Sequence, residues 1–252
     1  VHTPWEGRPD LVEKYQAIID NNSDTIIRDP QFLAMIESLD QNVGKVLNAL
    51  KKNQLSDNTF VIFVSDNGGL NVEKGNQVFG SWNYPLRGGK GTLYEGGLRV
   101  PTIMRWPNKI ISGKVSNELI ISTDILPTVL EAINISRDVQ VEGVSLWKHI
   151  TASQPVDREV FYWHYPHYHN GKPHSSVRLG KWKLIEFFDN KQYELYNLED
   201  DIGEQNNLIN SEKEKANELK KILNNWRLNI DAQLPLPNPD YNPQKADKQV
   251  RW

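Results

Sequence analysis

From residue 29 to residue 52, apolar side chains recur three and four positions apart: Phe32, Ile36, Leu39, Val43, Val46 and Leu50. That spacing puts them on one face of a long helix. Asp29 before Pro30 suits an N-cap followed by a first-turn proline. After a polar, turn-like stretch over 53–58, Phe60, Val61, Ile62, Phe63 and Val64 run without a break. An uninterrupted apolar run predicts a strand buried on both faces, as in a parallel sheet covered by helices. A helix leading into such a strand is an α/β signature. Residues 65–98 carry no long periodic segment but many Gly, Asn and aromatic residues, and a loop of that length is usually functional. A second buried strand is predicted over 102–106. A helix follows over 124–133, with Pro127 in its first turns, and a short helix over 145–150.

The pattern changes near residue 155. Segments 160–163, 176–188 and 194–197 read as antiparallel strands, with Gly180 and Lys181 at a turn or bulge of the second. Residues 211–230 read as a final helix with Leu219, Ile222, Leu223, Trp226 and Ile230 on its apolar face, opened by a Ser211/Glu214 capping box. The fold class is therefore α/β, a helix-flanked sheet followed by a small antiparallel β-sheet with one helix. The expected division is 1–154, 155–233 and an extended tail over 234–252.

Composition narrows the field only locally. The 252 residues are enough to bury a sizeable core. A net charge of −3 gives no general attraction to nucleic acid or anionic membranes, so an anion site has to be local. No apolar run approaches the roughly 20 residues that span a bilayer. The absence of Cys excludes disulfides, thiolate metal sites and cysteine nucleophiles within the chain. The eight Trp are expected mainly as packing anchors. The chain opens on Val1 rather than Met, which leads us to expect residues upstream.

Three segments carry candidate chemistry. Ser65-Asp66-Asn67-Gly68-Gly69 follows the apolar strand directly. Ligand sites of open α/β sheets lie at the carboxyl ends of strands. Asp66 and Asn67 offer a carboxylate and an amide oxygen there, donors that hard cations such as Ca²⁺ or Mg²⁺ select. A plain strand-to-loop turn is the alternative. The second segment, from Pro85 to Pro101, is Gly-rich and basic, which suits an oxyanion held by backbone N–H groups and Lys90. It is not a Walker A loop, because Gly91 stands where Ser or Thr is needed. The third is His2 in Val1-His2-Thr3-Pro4, where a lone histidine is by itself usually structural or solvent-facing.

In order and in spacing these segments resemble the type I, formylglycine-dependent sulfatases of the alkaline-phosphatase superfamily. The resemblance rests on His2-Thr3-Pro4, Val64 to Gly69, Leu86 to Thr92, Glu95-Gly96-Gly97 and Arg99-Val100-Pro101. It continues through Gly143 to Leu146, Val177 to Leu184, Glu194 to Leu198 and Glu204 to Leu208. It implies a sulfatase-like sheet, represented in part, with the small C-terminal subdomain. It implies Asp66 and Asn67 as metal ligands, for Ca²⁺ or Mg²⁺, and Lys90 and His2 as catalytic contacts to sulfate. Arg87 and Arg99 are expected to support the loop. The family's nucleophile, made from Cys or Ser in a Cys/Ser-x-Pro-Ser/Ala-Arg motif, and its first acidic pair are expected upstream.

The resemblance thus predicts a sulfuric ester hydrolase acting on a sulfated carbohydrate. The N-terminal part of the same sulfatase would be its partner, and the chain would be inactive alone. It also suggests a periplasmic or secreted setting. A phosphonate or phosphodiester hydrolase and a non-catalytic carbohydrate- or anion-binding fragment stand as alternatives. On the substrate side, the His- and aromatic-rich segment 161–170 offers His164 and His167 for sugar contact, with a structural role for this aromatic-rich loop as the competing reading. His174 is expected to be exposed and His149 structural.

Overall fold

The computed structural model describes residues 1–22, 29–74, 77–136, 141–169, 171–240 and 242. In chain order its elements are α1 (Pro9–Asp20), α2 (Pro30–Lys52), β1 (Val61–Val64), β2 (Asn71–Lys74), β3 (Gln77–Gly80), α3 (Glu95–Leu98) and β4 (Thr102–Arg105). They continue with α4 (Ile125–Ala132), α5 (Trp147–Ala152), β5 (Val160–Tyr165), β6 (His174–Leu179), β7 (Trp182–Phe187), β8 (Gln192–Asn197) and α6 (Lys213–Asn229). Residue 241 and residues 243–252 of the expected tail, and Asn170 of the His-rich segment, lie outside the described residues.

Asp29 caps α2, with Oδ1 accepting from the backbone N–H of Gln31 at 3.0 Å and of Phe32 at 3.2 Å. Pro30 fills the first turn, where no N–H is needed. α1 packs on α2, joined by a Lys14–Glu37 ion pair of 2.6 Å. Within α2 only Ala34 is fully buried, and Ile36, Leu39 and Val46 stay exposed.

The parallel sheet expected from the 60–64 run is not what the described residues form. β1 pairs antiparallel with β4, Val61 opposite Arg105 and Val64 opposite Thr102. Among the described residues β1 has this single neighbour, and Phe63, Val64 and Ile103 remain exposed. The apolar run encodes a burial that the described residues do not supply. The 65–98 segment also holds more structure than expected, a β2–β3 hairpin and the one-turn α3.

Beside this sheet, Phe60, Trp106 and Trp147 form an aromatic cluster with centroids 5.6–6.0 Å apart. Asp124, fully buried, accepts from the N–H of Ile121 and of Val144 and pairs with both terminal nitrogens of Arg158 at 2.6 Å. A buried carboxylate is stable only when its oxygens are used in this way. This knot fastens the 121–146 region to the chain entering β5.

β5 to β8 form a four-stranded antiparallel meander in sequence order. Of the two readings for Gly180 and Lys181, turn or bulge, the structure forms the turn, a two-residue connection that makes the 176–188 segment the β6–β7 hairpin; φ of +56° at Gly180 suits glycine. Strand alternation gives the sheet two faces. On one, Val177, Leu184 and Leu195 pack under Ala216, Leu219 and Leu223 of α6, with Tyr162 stacked on Trp226 at 4.6 Å. The Ser211/Glu214 capping box does not form. The helix begins after Glu212 with no side-chain cap, and Ser211 Oγ donates to the Leu208 carbonyl. The other face holds Ile185 and Tyr196 and receives Tyr94 from the Gly-rich segment.

Candidate active site

Two glycine-rich loops are locked together at the carboxyl end of β1. The Gly68 N–H donates to the Gly97 carbonyl at 2.9 Å, and the Lys90 N–H donates to the Gly69 carbonyl at 3.1 Å. Asn83 bridges both loops, its amide donating to the carbonyls of Gly69 and Gly88. A Cβ at Gly68 would lie 1.8 Å from the Gly96 oxygen and one at Gly89 2.5 Å from the Gly69 oxygen, so neither position admits a side chain without moving backbone.

This packing brings the loop of Asp66 and Asn67 against the loop of Lys90. Asp66 is exposed, and its Oδ1 accepts from the Asn67 N–H at 3.0 Å. Asn67 donates its amide to the Gly68 carbonyl at 2.8 Å, which leaves Oδ1 as an acceptor. His2 reaches the same place from 88 positions away, with Nε2 3.0 Å from Lys90 Nζ. Its Nδ1 lies 2.7 Å from the Thr3 carbonyl. A carbonyl only accepts, so Nδ1 carries the hydrogen and Nε2 offers its lone pair to the Lys90 ammonium.

The two sugar-contact candidates part ways. His164 lies on the α6 face of the sheet, edge-on to Trp226 and Phe188. Both its ring nitrogens are engaged, Nδ1 with Ser175 Oγ and Nε2 with the Gln233 carbonyl at 2.6 Å. The geometry therefore does not bring His164 to the Lys90 loop. His167 is exposed on the segment after β5, edge-on to Tyr165 at 5.7 Å. That segment runs to Gly171, where a Cβ would sit 3.7 Å from the Gly91 oxygen and from Thr92 Cγ2. His174 is buried, contrary to the expectation of exposure, because its ring stacks on Phe187 and its Nε2 serves the Leu93 N–H.

Over residues 1–135 the chain matches the family described as Sulfatase, and over 89–229 the family described as N-sulphoglucosamine sulphohydrolase, C-terminal. The chain belongs to the sulfatase family. A sulfatase of Formosa agariphila is 35% identical over 231 residues, covering 83% of this chain and 40% of the relative. The N-acetylglucosamine-6-O-sulfatase of Bacteroides thetaiotaomicron is 31% identical over 220 residues, covering 83% and 37%. Among solved structures, Ps i-CgsB in complex with k-i-k-neocarrahexaose superimposes with a TM-score of 0.73 at 27% identity, over 93% of this chain and 49% of that one. The sulfatase chain thus spans about two-fifths of the length of these two relatives and about half of that structure.

What sequence reasoning missed is the way the sulfatase loop is held. The sheet face opposite α6 presents polar groups in rows. Arg178, Lys183 and Tyr196 are cross-strand neighbours, and so are Ile185 and Glu194. Onto them the loop lays Arg87, Leu93, Tyr94 and Glu95. Arg87 donates to Tyr196 Oη at 2.8 Å and to the Glu204 carbonyl at 2.9 Å, the supporting role expected of it; Arg99 is exposed. Tyr94 and Tyr196 both donate to Glu194 Oε2, at 2.7 and 2.8 Å. Burial, reinforced by that carboxylate, holds both phenols well above their usual range, so they remain donors.

Lys183 is inaccessible and pairs with Glu95 Oε1 and Glu204 Oε1, each at 2.9 Å. Arg178 adds a 3.3 Å contact to Glu95 Oε2, and Glu204 Oε2 accepts from the Glu95 N–H at 2.7 Å. Burial pushes the Glu204 carboxyl up, and the Lys183 charge opposes this. The parity of Lys183 between Trp182 and Leu184 marks a change of face; nothing in that pattern says the second face is covered.

Proposed function

We propose that the complete protein hydrolyses sulfate esters of carbohydrates, and that this chain contributes Lys90 and His2 to its sulfate-binding side. The observation that carries this reading is the 3.0 Å meeting of His2 Nε2 and Lys90 Nζ on loops packed against Asp66 and Asn67. As the S–O bond breaks, negative charge grows on the sulfuryl oxygens and on the leaving oxygen. The Lys90 ammonium offsets that charge. The Nδ1–H of His2, held by Thr3, keeps Nε2 turned toward Lys90, and a proton shared between them is available to the departing alkoxide. Exposed His167 is the chain's candidate for contact with the sugar. The name of the N-acetylglucosamine-6-O-sulfatase relative supports a sulfated sugar as substrate.

The donors at 66 and 67 are both hard oxygens and suit calcium, with magnesium as the alternative. Asp66 would bind through its carboxylate and Asn67 through Oδ1; a cation there would act as a Lewis acid toward a sulfate oxygen. Calcium takes about six to eight oxygens. Among the described residues no group of three His, Asp or Glu completes such a shell. We assign the remaining ligands and the formylglycine nucleophile to an N-terminal part of the same sulfatase, which leaves this chain inactive alone. The exposed apolar surface of α2, β1 and β4 supports that partner, since Phe63, Val64, Ile103 and Val46 lack cover. Among the described residues no helix is long and apolar enough to cross a membrane, and a periplasmic or secreted setting is proposed by family analogy.

The test is sulfate release by the complete protein from a panel of sulfated mono- and polysaccharides, read by ion chromatography. Release is expected, and Lys90→Ala should lower kcat about 10²–10³-fold with the fold intact. No release from any member of the panel, or near-normal turnover in the variant, would remove Lys90 from this role.

A further inference from the structure

One of the contacts between the Lys90 loop and the C-terminal sheet runs through an imidazole. His174, at the start of β6, is 3% exposed. Its Nε2 accepts from the Leu93 N–H at 2.8 Å, and its Nδ1 lies 2.5 Å from the Lys172 carbonyl. A carbonyl only accepts and a backbone N–H only donates. Both contacts are therefore satisfied by one state alone, the neutral ring with hydrogen on Nδ1. Stacking on Phe187 at 5.8 Å and 18° and edge contact with Tyr165 at 6.0 Å hold the ring in place.

We propose that His174 is a positioning residue for the sulfate-binding loop. Its neutral form fixes Leu93, and through it Lys90, on the sheet, and its protonation releases that hold. A second ring hydrogen would set Nε2–H against the Leu93 N–H, two donors with no acceptor between them. The bond must then break, three positions along the chain from Lys90. The surroundings oppose protonation. Burial pushes the His174 pKa down, and the Lys183 ammonium on β7 adds to this, while the Lys172 carbonyl works against it. The other titratable groups around the ring are Tyr165 on β5, with His167 and His169 edge-on to it, and the Lys172 side chain, paired with Asp189 at 3.2 Å. None places a carboxylate on Nε2 that would stabilise the charged ring.

The role of Lys90 in this inference rests on the function proposed above; the bond to Leu93 does not. Two arms of one experiment keep them apart. In the 252-residue chain, ¹⁵N NMR should find His174 as the Nδ1–H tautomer. On acidification the Leu93 amide shift should follow the His174 titration, together with the amides of Lys90 and Thr92. His174→Gln, whose Oε1 accepts without titrating, should hold the Leu93 shift flat. His174→Ala should reduce amide-exchange protection of Leu93 at least about tenfold at neutral pH. A Leu93 amide that ignores the His174 titration overturns the proposal, and the wild-type titration decides it even where the alanine variant fails to fold.

In the complete enzyme, His174→Ala should lower kcat about 10- to 100-fold, the scale of a displaced catalytic group. His174→Gln should restore it and remove an acid limb of the kcat/KM profile. Equal acid limbs in wild type and His174→Gln would also refute the role. If the complete protein released no sulfate at all, the proposed function would fall, while the amide titration would still judge the contact.

Discussion

Replacing Lys183 with methionine keeps the length and packing of the side chain and deletes its charge. The ammonium it removes is inaccessible and lies 2.9 Å from one oxygen each of Glu95 and Glu204. At an effective dielectric near 20, each pair is worth about 6 kcal/mol of Coulomb attraction. Most of that is offset by the desolvation of a buried ammonium, and removing one partner of such a cluster typically costs about 3–5 kcal/mol.

The second carboxylate sets a ceiling, because Glu204 can escape by binding a proton. Its pKa is already pushed up by burial, and the Lys183 charge that opposed this would be gone. Protonation costs about 1.36 kcal/mol per pH unit above the ordinary glutamate value near 4.3, hence about 4 kcal/mol at pH 7.5 and about 1.6 at pH 5.5. A group whose folded pKa is raised loses stability as pH rises, so the damage must be larger at the higher pH. Urea unfolding followed by circular dichroism at both pH values reads this directly. The expected loss is about 3–4 kcal/mol at pH 7.5, or about 6–16 °C in Tm, and roughly half of that or less at pH 5.5. Adding Glu204→Gln should abolish most of the pH dependence. A loss below about 1 kcal/mol at pH 7.5, or equal losses at the two pH values, would refute the reasoning.

Asp66→Ala should weaken calcium binding of the complete protein at least about tenfold by isothermal titration and remove activity with it; unchanged affinity would take Asp66 out of the ligand set. His174 makes a separate mark on stability. Its folded pKa is depressed, so its contribution is full above the ordinary histidine value and declines as pH falls through the depressed one. His174→Gln should therefore flatten the fall in wild-type stability below about pH 6.5; parallel stability profiles would show that the ring is not held neutral.

Local signals were legible where a residue acts on its own segment. Asp29 with Pro30 announced a capped helix, Gly180 a turn, and the Asp66-Asn67-Gly68-Gly69 run a donor-bearing loop, because capping, positive φ and close backbone approach are decided within a few residues. The meeting of His2 with Lys90 was legible only through family resemblance, since no local rule joins positions 88 apart. α1 went unread, although Pro9 opens it, because a single residue of its face, Leu11, is fully buried. His174 was misread because it falls between the predicted strands 160–163 and 176–188, where a polar residue is usually exposed. Its burial comes from the Leu93 loop, 81 positions away. The same applies to Lys183, whose alternation is that of a solvent face until a second layer covers it. His164 shows the converse. Its aromatic neighbours suggested a sugar site, yet in β5 they alternate between two faces of one sheet, and His164 falls on the one beneath Trp226.

A loop made of glycines has no side chains with which to fix itself. Gly88, Gly89, Gly96 and Gly97 allow the close approach that brings Lys90 to His2, but each raises the conformational entropy that ordering must overcome. Order therefore has to come from the residues between and beside the glycines. In this chain those residues are Arg87, Leu93, Tyr94 and Glu95, and each is bound to the face of the four-stranded sheet opposite α6. The apolar face of that sheet supplies stability through α6, and its polar face adds stability through Lys183 and geometry through the loop. The sheet is thus bound physically to the loop that carries Lys90. Changes on its polar face should move the pH profile and kcat of the complete enzyme, while changes under α6 should move its unfolding midpoint and leave both largely alone.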